Sequence, residues 1–107
     1  MPYLVVFTRW PSDKIPEVVK KAIEVTQKFP PDDSLGDQVV PNAINGNLDG
    51  MKSIAITLVK EGKLEEALTR ASATVNLYAS IPGFESSVEV WSTVEEAYTS
   101  IGQTPPE

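Results

Sequence analysis

Three residues of this 107-residue chain carry side chains suited to gripping a ligand or a partner: Arg9, Trp10 and Trp91. Guanidinium and indole groups dominate interfaces and pockets when they stand on a sheet face. Arg9 and Trp10 close one run of apolar residues and Trp91 closes another, so all three fall at the ends of elements. Their ordinary roles would be an ion-pairing surface group for Arg9, strand-end core for Trp10 and interface packing for Trp91. Proton transfer would fall to Glu89, Tyr3 or Lys52, and their spacing singles out none of them.

What is missing narrows the chemistry further. The chain has no histidine and no cysteine, which removes thiol nucleophiles, imidazole bases, disulfides and zinc-finger sites. Oxygen-rich stretches occur at Asp32-Asp33 and from Asn45 to Asp49, but neither has the spacing of a calcium loop, and both read as loop or turn. No cofactor and no tightly held transition metal are expected, because carboxylates alone bind such ions weakly. A formal charge of −6 repels a phosphate backbone, and Lys20-Lys21 is flanked by Glu17 and Glu24 at helical spacing, so nucleic acid is not an expected partner. The longest apolar runs fall far short of the roughly 20 residues that span a bilayer, and a cytoplasmic protein is expected.

These side chains must be placed by a small set of elements. Tyr3–Trp10 is rich in β-branched and aromatic residues and is stopped by Pro11-Ser12-Asp13, which predicts a first strand apolar on both faces and therefore central. Pro16 suits the first turn of a helix. Ile15, Val18, Ala22, Val25 and Phe29 then share one helical face, and Glu17/Lys21 and Glu24/Lys28 stand in the favourable order on the opposite side. Asp37–Ile44 predicts a second strand, held to a sheet edge by Pro41, which cannot donate to a ladder. Asn45–Gly50 carries tight-turn signals, and Met51–Glu61 alternates as the third strand. Leu64, Leu68, Ala71, Val75 and Tyr78 mark a second helix, with Glu66 facing Arg70. Phe84–Trp91 is the fourth strand. Thr93 with Glu96 three residues on predicts a capping box opening a short tail helix that ends at Gly102. A single domain over residues 1–103 with a frayed tail at 104–107 follows.

The order β-α-β-β-α-β is that of the ferredoxin-like split βαβ, an α+β fold with two helices on one face of a four-stranded antiparallel sheet ordered 4-1-3-2. Helices on one side leave the other face open, and that face carries large residues whichever way the first strand is turned. An exposed apolar face of this size marks an interface or a ligand site.

The run YLVVFTRW, the hairpin around Asn45–Gly50 and the last strand SSVEVWSTVEEA leading into a tail helix resemble the dimeric α/β-barrel superfamily, and within it a small archaeal branch. The resemblance covers nearly the whole chain and implies a homodimer, or a higher assembly of dimers, with two sheets packed face to face. Other users of the topology are excluded by residues: a metal chaperone needs Cys-x-x-Cys, an RNA-recognition motif needs aromatics on the third strand, and haem-binding relatives ligate iron through histidine. Two readings remain. One is a small-ligand-binding or assembly module; the other is a cofactor-free enzyme, isomerase- or monooxygenase-like, working inside the barrel. The site is expected at the open face near the ends of strands one and four, where Arg9, Trp10 and Trp91 share one pocket only if a partner brings its own Trp91 across.

Overall fold

A computed structural model describes residues 1–106. The expected tail at 104–107 thus includes Glu107, which lies outside the described residues. The elements run β1 (Tyr3–Trp10), a 3-10 turn at Ser12–Lys14, α1 (Ile15–Lys28), β2 (Gly36–Asn47), β3 (Gly50–Val59), α2 (Leu64–Asn76), β4 (Glu85–Trp91) and α3 (Val94–Ser100). The sheet is antiparallel throughout and ordered β2-β3-β1-β4. This is the ferredoxin-like α+β arrangement, with the two strands that are apolar on both sides in the centre.

Alternation along β1 assigns the faces. Leu4 clusters with Val59 and with Ala67 of α2, while Leu64, Leu68, Ala71 and Val88 pack around them. Trp10 clusters with Val18 of α1 and Ile81. The even-numbered residues of β1 therefore face both helices, and Tyr3, Val5, Phe7 and Arg9 face away. Thr8 and Ser53, half-buried cross-strand partners on the helix side, hydrogen-bond to each other, so these two hydroxyls satisfy one another.

Local chemistry accounts for the boundaries. Pro41 falls where β2 loses register with β3, between Val40 and Ala43, so the residue without an N–H sits in a bulge on an edge strand. The hairpin turn is tighter than expected: Leu48 and Asp49 make the turn while Asn45 and Gly46 stay in β2. Asn47 Oδ1 accepts from the Asp49 N–H at 2.8 Å. Gly50 follows at φ 122°, where a Cβ would stand 2.8 Å from the Trp10 carbonyl oxygen, so both conformation and space demand glycine. The capping box is formed as expected, Thr93 Oγ1 accepting from the Glu96 N–H at 3.1 Å and Glu96 Oε1 from the Thr93 N–H at 2.9 Å. All three expected charge pairings differ among the described residues, since Glu24 pairs with Lys21 rather than with Lys28. Lys21 pairs with Glu24 at 2.9 Å rather than with Glu17. Arg70 turns from Glu66 to donate to the Pro30 carbonyl and lie over the Phe29 ring, 5.5 Å from its centroid, tying α2 to the end of α1.

Candidate functional site

Register makes the open face a grid of four cross-strand rows. The first holds Asp37, Leu58, Tyr3 and Trp91; the second Val40, Ile56, Val5 and Glu89; the third Ala43, Ile54, Phe7 and Ser87; the fourth Asn45, Lys52, Arg9 and Glu85. Apolar side chains dominate the two central columns of the first three rows, and charge enters both of those columns in the fourth. The face is thus apolar at one end and polar at the other.

The third and fourth rows enclose a cleft of about 660 Å³, within the 300–1,000 Å³ range of small-molecule sites. Its wall takes three consecutive residues from each strand. By alternation the first and third of each triplet present side chains to the cleft, and the middle one (Thr8, Ile44, Ser53 or Ser86) contributes backbone. Phe7, Ile54 and Ala43 form the apolar floor; Arg9, Lys52, Asn45, Glu85 and Ser87 supply polar groups.

Two polar networks lie flat on this face. Arg9 Nε donates to Glu85 Oε1 at 2.8 Å. That hydrogen bond, reinforced by opposite charge, lowers the Glu85 carboxyl below its ordinary range and raises the guanidinium. Two rows away, Glu89 accepts from the Trp91 indole N–H at 2.9 Å and from the Ser87 hydroxyl at 2.8 Å. Those two donors push its carboxyl down as well, the indole being the larger cause. A carboxylate held ionised in this way is a weak base, contrary to what proton abstraction near neutral pH needs.

Arg9 stands on the cleft wall, where the sequence placed a ligand contact. Trp91 shares its face but lies three rows off, about 20 Å along the strands at their usual rise, and its ring meets Phe7 at a centroid distance of 6.3 Å. Trp10 is on the opposite face, 8% exposed, with its ring stacked on Phe84 at 6.0 Å and its indole N–H without an acceptor. Arg9 and Trp10 meet only at a smaller hollow of about 240 Å³ beyond the Arg9–Glu85 pair. Within one chain the three do not share the main cleft. Tyr3, Lys52 and Glu89, the candidates for proton transfer, all fall on the open face, each in a different row.

Asn45, Glu85 and Ser87 are cleft residues that the sequence did not single out. Asn45 was legible in principle: a two-residue turn at Leu48-Asp49 pairs Asn47 with Gly50 and hence Asn45 with Lys52. Glu85 and Ser87 required the β1–β4 register. Among the described residues no cluster of three or more carboxylate, histidine or cysteine ligands could hold a metal ion, and no helix is long and apolar enough to cross a membrane. Compared with protein-family models, with characterised proteins and with solved structures, the chain gives no significant match in any of the three.

Proposed function

We propose that this protein is a homodimeric small-ligand-binding module of the dimeric α/β-barrel type, in which a second copy covers the open face and roofs the cleft. The supporting observation is surface. The chain exposes 7265 Å², whereas a folded monomer of 11.7 kDa ordinarily exposes about 5,900 Å². Its radius of gyration, 15.5 Å, likewise exceeds the roughly 13 Å of a compact domain of this length. A surplus of about 1,400 Å² is more than the roughly 800 Å² that each partner buries in a standard interface. The open face contributes to it through Tyr3, Phe7, Ile54, Ile56 and Leu58, all half-buried, and through Trp91, 52% exposed. A second copy is the simplest cover, since twofold dimers are the commonest closed assemblies.

The cofactor-free enzyme reading ranks lower because Glu89, the carboxylate that the edge strand β4 places in the second row, is held below its ordinary range by two hydrogen bonds. Light scattering after size exclusion tests the assembly: a mass of twice the chain, or an even multiple, is expected, and a monomer at micromolar concentration overturns it. A thermal-shift screen of metabolites tests the site, because a ligand that binds only the folded state raises Tm.

A further inference from the structure

We infer that the cleft takes a small apolar monocarboxylate, its anionic group held by the Lys52 ammonium beside Asn45 and its apolar body lying on Phe7 and Ile54. This rests on the ligand-binding reading above and names the ligand's chemical class.

The argument is one of charge within the fourth row. Arg9, Lys52 and Glu85 stand there side by side, but Arg9 is already committed to Glu85 at 2.8 Å. Lys52 makes no ion pair with any described residue, and the Asn45 side chain opposite it on β2 has no hydrogen-bond partner among them either. The row therefore carries one net positive charge in a chain whose formal charge is −6. Arg9 keeps its terminal N–H groups, since only Nε is engaged, but its charge is balanced by Glu85; the unbalanced charge, on Lys52, and the Asn45 amide beside it sit on the β2–β3 hairpin at one edge of the cleft. The neighbouring row supplies only apolar groups there, since the Ser87 hydroxyl is donated to Glu89.

A ligand matching this pattern has one anionic end with acceptor oxygens and an uncharged apolar body about one row, or 7 Å, long. A carboxylate fits a single ammonium and an amide donor. A phosphate dianion would meet Glu85 and a second charge left unbalanced, and an amine would meet Lys52 itself. Arg9 thereby becomes a wall group neutralised by Glu85, and Lys52 the anchor.

The test uses three probes of one shape and different charge, phenylpropanoate, phenylpropanamide and phenylpropylamine, titrated into the isotope-labelled full chain. Amide-signal shifts at Phe7, Lys52 and Ile54 are followed. The acid is expected to bind there roughly tenfold more tightly than the amide, with the amine weaker still. Lys52→Gln is expected to abolish the preference for the acid over the amide, and Lys52→Arg to retain it. Both variants are checked for unchanged mass and Tm. If the amide or the amine binds at these residues as tightly as the acid, or if Lys52→Gln keeps the acid preference, the carboxylate assignment is overturned and the ligand-binding reading stands. If no probe of any charge shifts these signals, both fall.

Discussion

The two faces of this sheet are made from alternate residues of the same strands, yet they are finished differently. On the helix side, Leu4, Trp10 and Val59 are buried by side chains from other elements, among them Val18, Ala67 and Ile81. On the open side, Tyr3, Phe7, Ile54 and Ile56 are equally apolar but stay partly exposed. The polar groups there pair laterally along the surface, Arg9 with Glu85 and Trp91 with Glu89 and Ser87. Neither residue type nor face alone decides burial in this chain: Val5 on the open side is 4% exposed on a central strand, while Val90 and Ile44 on the helix side are 47% and 59% exposed on the two edge strands. A face whose polar groups are already paired can take a cover at low desolvation cost, while an unpaired lysine in the same face keeps a specific polar demand.

If that contrast holds, substitutions on the two faces should separate folding from association. The largest effect belongs to the helix side. Leu4→Ala, at a site 5% exposed, is expected to destabilise the chain by about 2–5 kcal/mol, a large part of a total of roughly 5–15 kcal/mol. Denaturant titration should show the midpoint falling at constant slope. On the open side, Phe7→Lys is expected to weaken self-association by at least about a hundredfold, as for a central aromatic anchor. Circular dichroism of the resulting monomer should remain that of a folded α+β chain; loss of the fold would show that Phe7 belongs to the core and erase the distinction.

A smaller effect, on neither face, calibrates the scale. Thr93→Ala removes the side-chain half of the capping box and is expected to cost about 1 kcal/mol, measured by thermal unfolding against the parent.

Acid should sharpen the comparison, because the open face carries carboxylates whose folded pKa values are depressed. For Glu89 the sign follows from its donors: the ionised form is favoured by the Trp91 and Ser87 hydrogen bonds, so the folded value lies below the unfolded one. Its contribution to stability is therefore fully present above about pH 4.3, the ordinary glutamate value, and is lost as pH falls through the depressed folded value. In a Trp10→Phe background, Trp91 fluorescence should titrate with a midpoint below that ordinary value, and Glu89→Gln should remove the transition. Least of all is expected from Arg9→Ala. The Arg9–Glu85 pair has side chains 70% and 62% exposed, where solvent screening leaves little net energy, so Tm should not change measurably. A clear drop would show that this edge of the open face is already part of the stable core.

Much of the architecture was legible because it rests on local chemistry. The β-branched run from Tyr3, the proline stops, the Thr93–Glu96 capping pattern and the lack of a donor at Pro41 each act within a few residues. Together they specify element order and the edge position of β2. The turn signals of Asn45–Gly50 span more residues than the turn itself, since Asn-Gly and Asp-Gly pairs overlap within six residues and only the β2–β3 pairing selects between them. The same ambiguity hid Asn45 as the neighbour of Lys52.

By itself, then, the sequence determined that β1 and β3 are apolar on both sides and central, and that imidazole and thiol chemistry are absent; strand alternation also sends the neighbours Arg9 and Trp10 to opposite faces, which the expectation of a pocket shared by both overlooked. It did not determine which face the helices cover. Period-two alternation defines two sets of side chains but not the direction either points, and the choice is made by tertiary packing of Val18 against Trp10 and of Ala67 against Leu4. Only the tertiary structure could therefore put Arg9 on the open face and Trp10 in the core. Only the β1–β4 register, in which Arg9 lies opposite Glu85, could neutralise Arg9 and leave Lys52 as the cleft's free cation.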